Sequence, residues 1–297
     1  MIPKHTIGSN ALCSNALRSN ALCSNAHTHT TFCDGADSAE ELVRHALSLG
    51  FISLGFSGHS YYPDCSHYCM SPEGTLQYQA EIRRLQAAYQ DRITVRLGLE
   101  LDYFSQVDLA PYEYIIGSVH HFRDPSSHIF YAFDGSADHF RQMLDQSFNG
   151  NILALARAYY SMLAQLVTQP QQGRRIDIVG HFNLITKQNR VHHLIDESDP
   201  AYQKIAYEAL RACAQTGAIF EVNTGAMARG YANEPYPNLE MLRWLHELKA
   251  PVIITSDCHA MACLDFAFEE ARQLLLTAGY RSVMRLGRNS LFEEVAL

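Results

Sequence analysis

The segment HTHTTFCDG carries the residues whose types and spacing point most directly to chemistry. In this segment His27 and His29 flank a single threonine, and Asp34 follows His29 by five residues. Side chains two residues apart lie on the same face of an extended strand. A strand that ends here therefore aims two imidazoles at one point, where they could hold a metal ion. The alternative is a pair of surface histidines near a loop, so the rest of the chain must show whether further ligands exist.

Histidines and carboxylates recur where later apolar runs end. The candidate metal ligands are, in chain order, His27, His29, Asp34, His59, Glu100, His120, His181, Asp257 and His259. Each residue alone could be a loop histidine or an acid paired with a lysine. Nine such residues at the ends of apolar runs nevertheless favour a metal site. Six imidazoles and three carboxylates exceed the needs of one zinc, because a catalytic zinc keeps three protein ligands. The set suits two or three divalent ions such as Zn, Fe or Mn, with Glu100 as the best candidate to bridge them.

The elements predicted to position these residues alternate between short apolar strands and amphipathic helices. Ser38 and Glu41 match a capping box at the start of a helix that runs to Gly50. Further helices are predicted over 72–90, 137–169 with a break near Gly150, 199–216, 237–249 and 265–279. After the strand that leads to His27, strands are predicted over 51–57, 93–103, 112–122, 176–182, 218–225 and 251–259.

This alternation predicts a parallel sheet with helical crossovers. The seven predicted strands lead to His27, His59, Glu100, His120, His181, Asn223 and Asp257. In α/β barrels, active sites lie at the carboxyl ends of the strands, where these polar residues recur. We therefore predict the α/β class, with a single-domain distorted TIM-like (β/α)7 barrel preferred over an open sheet.

Residues 9–26 form an imperfect five-residue repeat, SNALC SNALR SNALC SNA. A period of five matches neither a helix nor a strand, so the repeat forms no continuous face. We interpret residues 1–24 as a poorly ordered leader whose last residues enter the first strand, which would then be short. Residues 25–297 are expected to form the one catalytic domain.

Length and composition exclude several classes of protein. The 297 residues are 47% hydrophobic, which suffices for one barrel or two smaller domains. The net charge of −8 argues against a general nucleic-acid binder. No run of 18 apolar residues indicates a membrane span, and the N-terminus lacks a signal-peptide pattern, so a cytoplasmic protein is expected.

Seven segments follow one another within residues 25–260: HTHTTFCDG, GFSGHS, LGLELDYF, IIGSVHHF, DIVGHFNLITKQN, FEVNTGAMARGY and ITSDCH. In this order they resemble the polymerase-and-histidinol-phosphatase (PHP) family, and specifically its histidinol-phosphate phosphatase branch. The His-x-His start and the Asp-x-His end are shared across the family. SVHHF, the segment from His181 to Lys187 and NTG-x-x-x-RG favour the phosphatase branch. The resemblance implies a distorted (β/α)7 barrel with a trinuclear metal centre.

The resemblance also implies how the nine ligands divide among the metals. The first metal would take His27, His29, Glu100 and Asp257. The second would take His120, His181 and again Glu100. The third would take His59, His259 and Asp34, which stands where some relatives have a histidine. His121 would belong to the pocket or support a ligand.

Two basic residues match positions where the resembling phosphatases bind the phosphoryl oxygens. These are Lys187, six residues after His181, and Arg229, which follows the NTG turn. An arginine can bind a phosphate bidentately. Without the resemblance, Lys187 would be interpreted as a solvated surface lysine. Asn223 could orient a ligand or satisfy the end of its strand.

We therefore expect a metal-dependent phosphomonoesterase, with L-histidinol phosphate as the favoured substrate and histidine biosynthesis as the pathway. The metals would supply hydroxide at neutral pH, with Glu100, Asp257 and His259 acting through it, while Lys187 and Arg229 neutralise the phosphoryl oxygens. The expected partner is a small phosphate monoester, with neither nucleic acid nor membrane. One alternative is a relative that acts on a nucleotide or oligonucleotide, which the charge disfavours. The other is a non-catalytic binding barrel, which the retention of all nine positions disfavours.

Overall fold

The computed structural model describes residues 22–63 and 68–297. The predicted leader lies outside these ranges except for Leu22, Cys23 and Ser24, which are buried. The described strands are β1 (Ser24–Asn25), β2 (Ser53–Phe56), β3 (Thr94–Asp102), β4 (Tyr114–Ser118), β5 (His121–Arg123), β6 (Phe130–Ala132), β7 (Ile178–Val179), β8 (Ile219–Asn223), β9 (Val252–Thr255), β10 (Ser282–Leu286) and β11 (Phe292–Ala296). The α-helices are α1 (Ala39–Ser48), α2 (Pro72–Tyr89), α3 (Ala137–Phe148), α4 (Ile152–Thr168), α5 (Asn189–His192), α6 (Pro200–Ala214), α7 (Gly225–Ala228), α8 (Leu239–Glu247) and α9 (Phe268–Ala278).

Seven parallel strands form the wall of a barrel in the order β1, β2, β3, β4, β7, β8 and β9. The barrel closes just beyond β1 and β9, where Thr28 and Cys258 form a parallel bridge. There the His29 N–H donates to the Cys258 carbonyl over 2.8 Å, and the Cys258 N–H donates to the His27 carbonyl over 3.0 Å. The predicted α/β class and the distorted barrel of seven βα units are confirmed.

The amino-terminal end of the barrel is completed by strands that were not predicted. β10 pairs in parallel with β9 and antiparallel with β11. The Leu286 N–H donates to Ser24 Oγ over 3.3 Å, and Ser53 Oγ donates to the Leu286 carbonyl over 2.6 Å. β10 therefore lies between β9 and β1 at this end. Three of its five residues are partly exposed and only Val283 and Leu286 are buried, so the short pattern SVMRL gives a weak strand signal.

Several predicted boundaries were wrong. The predicted strand over 112–122 ends at Ser118, and His121–Arg123 belongs to a separate hairpin with β6. The strands predicted over 176–182 and 251–259 shrink to two and four residues. In each case the residues that follow the last ladder pair are buried around the site and do not continue the ladder.

The helix signals were more reliable. Ser38 and Glu41 form the predicted capping box at the start of α1. The predicted break near Gly150 separates α3 from α4, and both Asn149 and Gly150 have positive φ there. No helix in the described part of the chain has the length and apolar character needed to cross a membrane.

An apolar plug fills the amino-terminal half of the barrel interior. It consists of Ala26, Tyr114, Ile116, Ile178, Ile219, Ile253 and Leu286. The Tyr114 ring crosses this space above two glycines, and its hydroxyl donates to the Ala26 carbonyl. A Cβ at Gly98 would lie 2.2 Å from Cζ of Tyr114, and one at Gly55 would lie 2.3 Å from its hydroxyl oxygen. The Tyr114 ring therefore fits only because Gly55 and Gly98 have no side chain. Polar residues occupy the carboxyl-terminal end of the barrel interior.

Candidate metal centre

All nine predicted ligands lie together at the carboxyl end of the barrel strands. Seven of them line a cavity of about 420 Å³, which also includes Lys187 and Arg229. The other two, His27 and His29, are fully buried and lie 3.4 Å and 3.6 Å from the Glu100 carboxylate. The strand ends named in the sequence thus meet around one cavity, as the barrel requires.

Glu100 is the centre of the cluster. Five imidazole nitrogens surround its carboxylate: His59 Nδ1 at 2.7 Å, His181 Nε2 at 2.9 Å, His27 Nε2 at 3.4 Å, His120 Nε2 at 3.5 Å and His29 Nε2 at 3.6 Å. Burial alone would raise the pKa of Glu100, but the neighbouring imidazoles outweigh burial and hold that pKa well below its usual range. Glu100 is therefore an anion with both oxygens directed at nitrogen donors.

Asp257 lies on one side of Glu100, against the first histidine pair. Its Oδ1 is 3.1 Å from His29 Nε2 and 3.5 Å from His27 Nε2. The residue has φ of 46°, a left-handed conformation that an aspartate adopts at a modest cost. A Cβ at Gly225 would lie 2.8 Å from the Asp257 Cβ, so the glycine of the NTG turn leaves room for this carboxylate.

Asp34 lies on the opposite rim, on the loop that follows His29. Its oxygens are 3.2 Å from His259 Nε2, 3.6 Å from His59 Nε2 and 3.7 Å from His29 Nδ1. The loop turns tightly at Gly35, where a Cβ would lie 2.5 Å from the Thr30 nitrogen. The turn brings Asp34 back over the histidines.

The described residues contain three groups of potential metal ligands, and within each group the ligand atoms all lie within 4.8 Å of one another. The groups are His29, Asp34, His59 and His259, then His27, His29 and Glu100, and finally His59, Glu100 and His120. The predicted division among three metals differs in that His29 and His59 each belong to two groups. His181 lies beside the third group, with its ring centroid 4.9 Å from that of His120.

The residues fit divalent cations. The Nε2 atoms of His27 and His29 are buried without a hydrogen-bond partner in the described residues, and they lie 3.4 Å and 3.6 Å from Oε2 of Glu100, which His59 Nδ1 also approaches. Buried polar atoms without partners are costly and therefore rare in folded proteins. The two Nε2 atoms and Oε2 converge on one point, and a cation placed among them would satisfy all of them. Nitrogen and oxygen donors in this mixture suit zinc, iron or manganese.

Two buried carboxylates that we did not predict hold the other nitrogens of two histidines. Glu221 Oε2 lies 2.8 Å from His27 Nδ1, and Asp102 Oδ2 lies 3.1 Å from His120 Nδ1. A carboxylate in this position leaves Nε2 of the imidazole for a metal. Both acids were detectable, because Asp102 follows Glu100 by two residues on β3 and Glu221 precedes Asn223 by two on β8.

Asn223 supports this arrangement from the end of β8. Its Nδ2 donates to Glu221 Oε1 over 2.9 Å, and its Oδ1 accepts from the Gly225 N–H over 2.8 Å. Thr255 Oγ1 also donates to Glu221, over 2.9 Å. Of the two interpretations drawn from the sequence, the strand-end role describes the contacts of Asn223.

Protonation differs sharply among the imidazoles. Burial, and then the neighbouring His259 and His59, lower the pKa of His29 to about 3, so it is neutral at pH 7. Burial would also lower the pKa of His120, but Glu100 and Asp102 outweigh burial and raise it to about 9. His120, which lies between two carboxylates, therefore holds a proton where a metal would otherwise bind.

The cationic side chains lie on the open side of the cavity. Arg229 places NH2 2.9 Å from Asp257 Oδ2 and NH1 3.0 Å from His259 Nδ1. Lys187 Nζ lies 2.9 Å from Asp134 Oδ2 and 4.9 Å from the centroid of the Tyr231 ring. Both cations face the same space as the ligand cluster, and both retain donors for an anion.

The fold and this cluster define the class of protein. Residues 25–225 match the model of the PHP domain family, and the chain belongs to that family.

Curated relatives that the chain matches bear the name histidinol-phosphatase. The chain is 29% identical over 268 residues to the probable histidinol-phosphatase of Deinococcus radiodurans, covering 86% of this chain and 94% of that relative. It is 26% identical to the histidinol-phosphatase of Bacillus subtilis, covering 82% and 96% of the two chains. The structure of histidinol phosphate phosphatase from Lactococcus lactis, complexed with zinc, L-histidinol and phosphate, matches with a TM-score of 0.66 at 20% identity, covering 90% and 97%. This last likeness shows the shared fold.

Proposed function

We propose that this protein is a metal-dependent phosphomonoesterase that hydrolyses L-histidinol phosphate to L-histidinol and phosphate in histidine biosynthesis. The observation that carries the proposal is the cavity in which seven of the nine metal-ligand candidates face two cationic side chains, with His27 and His29 buried beside Glu100. A site of this kind suits the transfer of a phosphoryl group to water. The curated relatives align with more than four fifths of the chain and bear the name of this activity.

Two or three divalent ions, with zinc as the first to test, would supply Lewis acidity and a nucleophile at neutral pH. The chain's own residues prepare the site for these ions. Glu100 provides a buried anion between the histidine groups, and Glu221 and Asp102 fix the orientation of two imidazole rings. Because these residues are held by the barrel wall, the ligand set is organised before any ion binds.

Lys187 and Arg229 would bind the phosphoryl oxygens on the open side of the cavity. The guanidinium of Arg229 is fixed by Asp257 and can present its remaining N–H donors to an anion. The positive charge of both residues would balance the negative charge that the equatorial oxygens carry during the displacement. The cavity of about 420 Å³ has the size of a small-molecule site, which favours a small monoester as the substrate. The biosynthetic role implies a cytoplasmic enzyme.

A direct assay tests both levels of the proposal. Metal-depleted protein is reloaded with zinc, manganese or iron, and phosphate release is measured from L-histidinol phosphate, a nucleoside monophosphate and a phosphorylated oligonucleotide. We expect kcat/KM to be highest for L-histidinol phosphate. Equal values for the three substrates would refute the specific substrate, and no release under any metal would refute the phosphomonoesterase activity.

A variant pair tests the ligand set. His120→Ala should reduce the bound metal measured by elemental analysis and abolish activity, because the variant loses one nitrogen of the cluster. His192→Ala is the matched control, since His192 is exposed at the end of α5. A full metal complement in His120→Ala would show that the ligand assignment is wrong.

A further inference from the structure

Asp134 lines the same cavity but stands apart from the ligand cluster. Its Oδ2 accepts from Lys187 Nζ over 2.9 Å, and within the described residues this is its one side-chain hydrogen bond. The other carboxylates of the cavity, Asp34, Glu100 and Asp257, each face at least two imidazoles. The ion-pair partner of Asp134 among the described residues is therefore a lysine and not a candidate ligand, although the carboxylate is close enough to His120 to help raise the pKa of that imidazole.

The backbone around Asp134 is firmly held. The Phe133 N–H donates to the His120 carbonyl over 2.8 Å, and the Phe133 side chain is fully buried. On the other side, the Gly135 carbonyl accepts from Gln188 Nε2 over 2.7 Å. Two small residues, Ala132 and Gly135, line the cavity beside the carboxylate and leave space in front of it. Asp134 is thus positioned before a substrate arrives.

A carboxylate in this place is unfavourable for a general phosphatase. It lies next to Lys187, one of the two cations available for the phosphate, and it repels a doubly charged phosphate group. The repulsion becomes useful when the substrate carries a positive charge next to its phosphate. L-Histidinol phosphate has that arrangement, because its ammonium group is on the carbon next to the ester methylene.

We propose that Asp134 binds the ammonium group of the substrate and makes the cavity selective for phosphate esters of amino alcohols. With the phosphate on Lys187, the adjacent ammonium group would face the carboxylate that now pairs with that lysine. The pair of opposite charges in the protein matches the pair of opposite charges in the substrate. This inference rests on the proposed function, since it assigns a specificity residue to the same site.

The test compares two substrates in two proteins. The substrates are L-histidinol phosphate and the analogue with hydrogen in place of the amino group, and the proteins are the zinc-loaded wild type and Asp134→Asn. We expect the wild type to favour the amino substrate by roughly 10- to 100-fold in kcat/KM, as for other charge-assisted contacts. Asp134→Asn should remove most of that preference by slowing the amino substrate, with less than about a threefold change on the analogue.

Asp138→Asn is the matched control, because Asp138 has a 96% exposed side chain and the substitution changes the net charge equally. Asp134→Glu should recover part of the preference. An equal loss on both substrates in Asp134→Asn would overturn the proposal and leave Asp134 with the role of positioning Lys187.

The wild-type comparison decides the question even if the variant fails to fold. Equal kcat/KM values for the two substrates in the wild type would overturn the role of Asp134 while the phosphatase activity stands. A wild type that hydrolyses other monoesters but neither of these two would refute the proposed function as well, so the two failures are distinguishable.

Discussion

Nδ1 of His27 lies 2.8 Å from Oε2 of Glu221, and neither side chain is exposed to solvent. The contact fixes the ring so that Nε2 points at Glu100 and Asp257. Glu221 also joins three strands, because it accepts from the His181 N–H after β7 and from Thr255 Oγ1 on β9. One carboxylate on β8 thus sets the direction of a ring that follows β1.

Glu221→Gln should weaken metal binding by roughly 10- to 100-fold while the fold is retained, because the amide keeps the shape but loses the charge that orients His27. Competition with a chelator for zinc measures this change. Glu208→Gln is the control, since Glu208 is exposed on α6. An unchanged zinc affinity would mean that Glu221 stabilises the sheet and does not contribute to metal binding through His27.

Arg229→Ala should raise KM for the phosphate ester by roughly 10- to 100-fold, since the variant loses a guanidinium that can bind two phosphoryl oxygens. Arg229→Lys should fall in between. Arg243→Ala removes an exposed arginine on α8 and should leave KM unchanged. Because Arg229 also contacts Asp257, metal content is measured in parallel. Loss of metal in Arg229→Ala would reassign this arginine to holding Asp257.

The stability of the metal-free protein should pass through a maximum near pH 6.5. The folded-state pKa of His29 is about 3, so the unfolded chain binds the extra proton between pH 3 and 6.5 and stability rises with pH. The folded-state pKa of His120 is about 9, so the folded protein binds the extra proton above pH 6.5 and stability falls as pH rises through 9. At about 1.4 kcal/mol per pKa unit, the limb below pH 6.5 is worth on the order of 5 kcal/mol and the limb above it on the order of 3 kcal/mol.

Urea unfolding midpoints in the presence of a chelator, measured from pH 4 to 9, test this curve. With zinc added, the fall above pH 6.5 should disappear, because the metal takes the place of the proton. A metal-free midpoint that keeps rising to pH 9 would contradict the assignment for His120.

Gly98→Ala should lower the free energy of unfolding by on the order of 3 kcal/mol, because the added methyl group overlaps the Tyr114 ring in the apolar plug. Thermal and urea unfolding measure the loss. The same substitution in a Tyr114→Leu background should cost less, since the ring is gone. An equal cost in both backgrounds would place the strain elsewhere.

The positions of the strand ends were largely predictable, and so was their meeting place. The pattern of alternation fixes which residues follow each strand, and closure of parallel strands brings those residues to one end. This logic placed His27, His59 and His181 correctly around Glu100 although they are far apart in the chain. Their roles as ligands remain predictions.

Other features depend on information that periodicity does not carry. The grouping of the imidazoles depends on the directions of their rings, which a sequence pattern does not give. His29, for example, lies between Asp257 and Asp34 and contacts both. Glu221 was not predicted, because an acid inside an apolar strand carries no signal of its contact with His27, which is 194 residues away in the chain. Asp134 lies after a short hairpin whose first strand, β5, was predicted as the end of the strand over 112–122 and whose second strand, β6, was not predicted.

The parallel bridge between Thr28 and Cys258 has a consequence for biogenesis. The two segments that close the barrel are also those that carry His27, His29, Asp257 and His259. A nascent chain on the ribosome can make most of the barrel wall, but it cannot complete the ligand set until β9 and His259 have emerged. Tight metal loading therefore reports a chain that extends at least to His259, and a product terminated before β9 would leave the cluster open to solvent and to exchange with other ions.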